Sequence, residues 1–108
     1  MAKNDLQGAL DLLVLKTLSQ LSSMHGYGIM MHIRRVSGER IIVEEGSLYP
    51  ALHRMEQSGW ICASWAVTEY GRRAKYYALT RTGHRQLAER EKNWELVSKG
   101  VQAILRLA

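Results

Sequence analysis

The stretch EEGSLYPALHRMEQSGW, from Glu44 to Trp60, holds the chain's only proline, Pro50, among a mixed set of hydrogen-bonding side chains. If Leu48, Leu52 and Met55 face inward at helical spacing, then Ser47, Tyr49, Pro50, His53, Arg54 and Gln57 share the outer side. None of these six has an evident packing role. Their chemistry suits the edges and backbone of a nucleic acid. The planar fork of Arg54 can bond guanine O6 and N7 or clamp a phosphate. His53 and Gln57 can donate or accept at base edges. Ser47, near the helix start, can bond a phosphate oxygen where backbone N–H groups already favour an anion. Tyr49 can hydrogen-bond the backbone or pack on sugar, and Pro50 offers apolar contact to a thymine methyl. An ordinary solvated helix face would carry similar residues, so this stretch alone leaves both readings open.

A second cluster follows. Gly71 precedes Arg72, Arg73 and Lys75, three cations within four positions on a turn. A protruding tip of this kind suits phosphate contact or a narrow minor groove; the alternative is a solvated charge run. Other chemistry finds little support. The sequence has no GxxxxGK[ST] loop, no GxGxxG and no nucleophile elbow. Cys62 falls on a predicted strand without a cationic helix start beside it, which makes it an inert thiol. His25 and His32 share a helical face, and His53 stands three positions before Glu56, but neither spacing makes a metal site. The expectation is a protein that is not an enzyme and needs neither cofactor nor metal.

The charge balance is consistent with a polyanionic partner: 15 Lys and Arg against 10 Asp and Glu give a net charge of +5 over 108 residues. A single cysteine excludes an internal disulfide and fits a reducing cytoplasm. No apolar run approaches a membrane span and no signal-peptide pattern opens the chain, so a soluble, cytoplasmic protein is expected. A single small domain buries a modest share of its surface, and a partner subunit would help it.

Periodicity supplies the elements that must hold the two clusters. ALDLLVLKTLSQL, from Ala9 to Leu21, reads as a helix with Leu10, Leu13, Val14, Leu18 and Leu21 on one stripe. Leu12 and Leu15 point the other way, which asks for a second cover, expected from another subunit. Ser22 and Ser23 are candidate caps for a second helix over about Gly26 to Val36. Ile41 to Val43 reads as extended. The third helix starts near Glu45 to Ser47, with Pro50 in its first turn, and closes at Ser58-Gly59. Ile61, Ala63, Trp65 and Val67 alternate with smaller or polar residues, and Ala74 to Leu79 is β-rich again, giving a β-hairpin with a cationic tip. Thr80 caps a last helix, Arg81 to Leu107, spanning roughly 40 Å. Leu87, Trp94 and Val101 lie seven apart with Val97 and Ile104 between them, a partial heptad seam interrupted by Arg90.

The order helix, helix, helix, hairpin, long helix predicts a mainly α (α+β) winged helix-turn-helix over residues 1–80 and a dimerisation helix over residues 81–108. In that arrangement the third helix enters the DNA major groove with its N-terminal residues at base edges. GALDLLVLKTLS, HGYGIMMHI, EGSLYPALHRMEQSGWI and GRRAKYYALTRTGHRQL resemble, in this order, the signature blocks of the PadR family of bacterial transcriptional regulators. The likeness runs from about Leu6 to Leu105 and is closest to the compact subgroup with one C-terminal helix. It implies a homodimeric winged-helix protein, mostly a repressor, that binds a palindromic double-stranded DNA operator and leaves it when a small molecule or stress signal arrives. Carried over, Tyr49, Pro50, His53 and Arg54 fall on the recognition helix, and Gly71, Arg72, Arg73 and Lys75 on the wing.

The resemblance also bears on Trp94. In some compact relatives the matching tryptophan lines a cleft between subunits and stacks planar aromatic compounds, which makes Trp94 a candidate effector-binding residue. The other reading is a seam residue packed against its twin. The expected dimer face is Leu12, Leu15, Leu87, Trp94, Val97, Val101 and Ile104. The alternative function is a winged-helix adaptor that binds protein through its long helix.

Overall fold

The computed structural model describes residues 3–107, with side chains from residue 8 onward. The outermost ends of the two expected domains, residues 1, 2 and 108, lie outside the described residues. Seven elements follow one another: α1 (Lys3–Leu21), β1 (Met24–His25), α2 (Gly26–Val36), α3 (Glu45–Gln57), β2 (Ile61–Val67), β3 (Arg73–Leu79) and α4 (Arg81–Leu105). The sheet is antiparallel with order β1-β3-β2. This is the α+β winged-helix architecture that the element order predicts.

The core lies where α1, α2 and α3 converge on the base of the sheet. Val14, Leu15, Ile29, Leu48, Leu52 and Met55 are wholly buried, and Leu18 and Ile61 nearly so. The inward stripe of α3 is therefore the expected one. In α1 the inward face is turned from the predicted stripe: Val14, Leu15 and Leu18 carry it, flanked by the buried polar residues Asp11 and Thr17. Leu10, Leu12 and Leu13 are only partly covered. Leu15 does not face a partner, as the sequence suggests it should. It is fully covered by its own chain, as part of the core cluster.

Local starts and stops differ in instructive ways. The cap of α2 is neither Ser22 nor Ser23 but His25, whose Nδ1 accepts the Gly28 N–H at 3.0 Å. Before it, Met24 and His25 pair with Tyr77 and Tyr76, adding a two-residue strand that the hairpin pattern does not reveal. Ile41 to Val43 joins no strand; Val43 leans on the core while Ile42 stays exposed. Pro50 sits in the second turn of α3 rather than the first, so its missing N–H leaves the Gly46 carbonyl without an i+4 partner. The hairpin registers Ile61 opposite Leu79 and Val67 opposite Arg73. Only its base is covered: Ile61 is buried, whereas Trp65 and Val67 are 61% and 65% exposed. The upper half of the hairpin is thus a free-standing wing.

Thr80 caps α4, its hydroxyl accepting the Gly83 N–H at 3.0 Å. The first three turns of α4 pack on α1, where Leu87 is buried and Lys16 pairs with Glu91 at 3.2 Å. From Lys92 onward the helix leaves the body, and its apolar residues are exposed. Leu87 belongs to the chain's own core, which corrects its place in the expected intermolecular seam. No helix among the described residues is long and apolar enough to cross a membrane.

Candidate nucleic-acid interface

Between α2, α3 and the wing lies an open cleft of about 1330 Å³. Tyr49 lines it from α3, and Arg72, Arg73 and Lys75 line it from the wing. One residue of the α3 cluster, Tyr49, therefore shares a concavity with the wing cations, although the two stretches are well separated in the sequence. Tyr49 lies close against the start of α2: a Cβ on Gly26 would stand 2.7 Å from the tyrosine ring and hydroxyl, so any larger residue there would push the ring aside. Ser47, Pro50, His53 and Gln57 lie on the outer side of α3, as their spacing predicts.

The wing tip is ordered by Thr68. Its backbone N–H donates to the Arg72 carbonyl at 2.7 Å, and its hydroxyl accepts from the Tyr70 and Arg72 N–H groups at 3.3 and 3.2 Å. Gly71 turns the chain at φ +79°. Arg72 is exposed, and Arg73 lies 5.2 Å over the exposed Trp65 ring, which steadies it without neutralising it.

Two of the expected contact residues have other engagements. Arg54 sends both terminal nitrogens inward, Nη2 to Asp11 Oδ1 at 2.7 Å and Nη1 to Asp11 Oδ2 at 2.8 Å. This bidentate bond to a buried carboxylate raises the arginine's pKa above its ordinary value. The fork assigned to guanine or phosphate is committed to the protein, which corrects the reading of Arg54 as a base reader. Lys75 bonds Glu56 Oε1 of α3 at 3.0 Å and stands 5.7 Å over the Tyr77 ring. That hydrogen bond likewise raises the lysine pKa, and it ties the wing to α3. Burial pushes the Tyr77 phenol up in turn.

Three cleft residues on α2 are not evident from the sequence. Tyr27, Met31 and Arg35 face the cleft at i, i+4 and i+8, opposite the buried Ile29 and Ile33. That spacing is present in GYGIMMHIRRV, but a solvated helix face would show it equally. Outside the cleft, the role of Asp11 on α1 is not evident from spacing either, although one carboxylate inside ALDLLVL asks for a buried partner. No cluster of three or more potential metal ligands occurs among the described residues.

The geometry invites comparison with known proteins, and the family model of PadR-like transcriptional regulators matches residues 14–89. The chain belongs to this family. A transcriptional regulator from Clostridium thermocellum is 26% identical and superposes with a TM-score of 0.85, over 98% of this chain and 99% of that one. A PadR-like transcriptional regulator of Bacillus cereus is 30% identical with a TM-score of 0.80, over 98% of this chain and all (100%) of the other. An uncharacterised protein of Lysinibacillus sphaericus is 28% identical over 100 residues, covering 92% of this chain and 91% of its own. The PadR-like match takes in the buried half of α1, the helices α2 and α3, the wing and the packed start of α4. Beyond it, α4 exposes Trp94 at 44%, Val97 at 40%, Val101 at 44% and Ile104 at 70%. These four keep 3-4-3 spacing, so one side of the projecting PadR-like helix carries a continuous row of exposed apolar residues.

Proposed function

We propose that this PadR-like regulator is a cytoplasmic homodimeric repressor that binds a palindromic operator with α3 in the major groove and the wing on the flanking backbone. The observation that carries this reading is the shared cleft, which gathers Tyr49 from α3, Tyr27 and Arg35 from α2, and Arg72 and Arg73 from the wing. Aromatic hydroxyls and cations on both walls suit a phosphate backbone passing between the groove-bound helix and the wing. With Arg54 turned inward, base contact falls to Ser47, His53 and Gln57, with Pro50 against a thymine methyl.

Residues 81–108 serve as the dimerisation unit. Two-fold pairing through Trp94, Val97, Val101 and Ile104 would cover the exposed seam, and the partly covered Leu12 of α1 would join the interface. A flat aromatic effector could enter between the two Trp94 rings and favour a dimer with the wrong spacing of reading helices.

The test is binding to a duplex selected from a random library, measured across salt concentrations. A steep linear loss of log affinity with log salt is expected for phosphate contact; salt-independent binding to protein partners would favour an adaptor instead. Sedimentation should show a dimer that Val97→Asp with Ile104→Asp converts to folded monomer without operator binding. A monomeric wild-type protein would sink the dimer.

A further inference from the structure

One buried carboxylate receives arginines from two helices. Asp11 on α1, its side chain 3% exposed, takes both bonds from Arg54 of α3 and also stands 4.0 Å from Arg90 Nη1 of α4. Arg90 reaches it while its guanidinium lies 4.8 Å over the Trp60 ring. Trp60 follows α3 by three residues, and its carbonyl accepts both the backbone N–H and the hydroxyl of Thr80, the cap of α4, at 3.1 Å each. Arg90 therefore touches Trp60, in the link from α3 to β2, on one side and the carboxylate that fastens α3 on the other.

Stability alone does not account for this arginine. Its Nε is buried and finds no hydrogen-bond partner among the described residues, which carries a cost that an apolar side chain on Trp60 would avoid. Arg90 also breaks the seam pattern one turn before Trp94, where α4 leaves the body. It stands at the junction between the part of α4 that packs on its own chain and the part offered to a partner.

We propose that Arg90 is a positioning residue for operator recognition. By bracing Trp60 and Asp11 together, it fixes the angle between α4, which carries the partner subunit, and α3, which carries the exposed outer face. That angle sets the distance between the two reading helices of a dimer. Half-sites one turn apart lie about 34 Å from centre to centre, so a shift of a few ångströms at each helix changes which spacing fits. The proposal rests on the dimeric DNA reading above.

The test uses the full chain and the duplex that the wild-type protein selects from a random library. Affinities are measured for that duplex and for versions with one base pair added or removed at its centre. The wild type should prefer the selected spacing at least tenfold. Arg90→Met, which keeps an apolar stem on Trp60, should bind all three duplexes within about threefold of one another. Its dimerisation and its salt slope on random DNA should be unchanged. Arg90→Lys should be intermediate, since an ammonium can approach Asp11 but cannot stack as a plane. A merely structural role would weaken all three duplexes by the same factor, and that result overturns the proposal. If Arg90→Met does not fold, the same comparison made with Arg90→Lys decides. A wild-type protein that selects no duplex overturns the DNA reading and the proposal with it, whereas a spacing preference that survives both substitutions overturns the proposal alone.

Discussion

The third helix and the wing both bring cations to one region, yet the fold treats them in opposite ways. On α3, Leu48, Leu52 and Met55 are wholly buried, Arg54 is locked onto Asp11, and Glu56 holds Lys75. On the wing, Trp65 and Val67 are largely exposed, and Arg72 and Arg73 lie at the surface around a turn ordered by Thr68. One arginine is a rivet and the other two are available charges. What separates them is a carboxylate buried more than forty positions away in the chain, which no local pattern of basic residues discloses.

The comparison can be broken most severely at Arg54. Arg54→Ala leaves the Asp11 carboxylate buried without its bidentate partner, and the cost should be about 3 kcal/mol, the low end for breaking a buried pair because Arg90 stands close by. Urea unfolding reads this directly. A change below about 1 kcal/mol, together with relaxed sequence preference on DNA, would return Arg54 to the bases.

The wing should answer in the opposite sense. Arg72→Ala and Arg73→Ala should leave stability within about 0.5 kcal/mol of the wild type, since both side chains lie at the surface. Each should weaken selected and random DNA alike by about tenfold, the worth of one charge-assisted bond to phosphate. The slope of log affinity against log salt should fall by about 0.9 for each phosphate that is no longer neutralised. If Arg72→Ala instead destabilised the fold and left the salt slope intact, the wing would be structural and the contrast with α3 would vanish.

Much of this division is legible in the sequence, and the part that is not has a physical reason. Helical spacing names Leu48, Leu52 and Met55 as the inner face of α3 and leaves Ser47, Pro50, His53 and Gln57 outside, because burial of a helix face follows a fixed period. The hairpin and its glycine turn are equally local. Arg54 is misplaced by spacing alone because its partner lies in another helix, and a side chain half-way round α3 can turn either way until that partner is known. Leu15, off the main stripe of its helix, and Leu87, on the seam of α4, suggest a partner subunit because an apolar residue says only that something covers it. Here the chain's own core covers both. β1 is invisible because two residues carry no period; Met24 and His25 pair only once β3 stands beside them. For Trp94, Val97, Val101 and Ile104 the sequence shows apolar spacing, and the structure adds that their own chain leaves them exposed.

The smallest expected effects lie where wing and α3 touch. Glu56→Gln removes the negative charge that holds Lys75 without removing bulk, so the ammonium, left with only a neutral amide oxygen, is held less tightly beside the cleft. DNA binding should tighten slightly, and the salt slope should steepen by at most about 0.9, the mirror image of Arg72→Ala. The same junction gives the fold an alkaline limit. Burial raises the Tyr77 pKa above the ordinary 10.0, so the folded chain prefers the neutral phenol. Its hydrogen bond to Glu56 raises the Lys75 pKa above 10.5, so the folded chain prefers the charged ammonium. For both groups the folded state holds its proton more tightly than the unfolded one. Their contributions are therefore complete below about pH 10 and are lost as the pH rises through the folded values. The thermal midpoint, followed from about pH 8 to pH 11, should fall at the top of that range. Tyr77→Phe should fall less steeply, because it removes the phenol that must ionise, and Glu56→Gln should reduce the lysine's share by removing the carboxylate charge. Parallel curves for wild type and Tyr77→Phe would locate the alkaline loss elsewhere and leave the junction of wing and helix with no part in it.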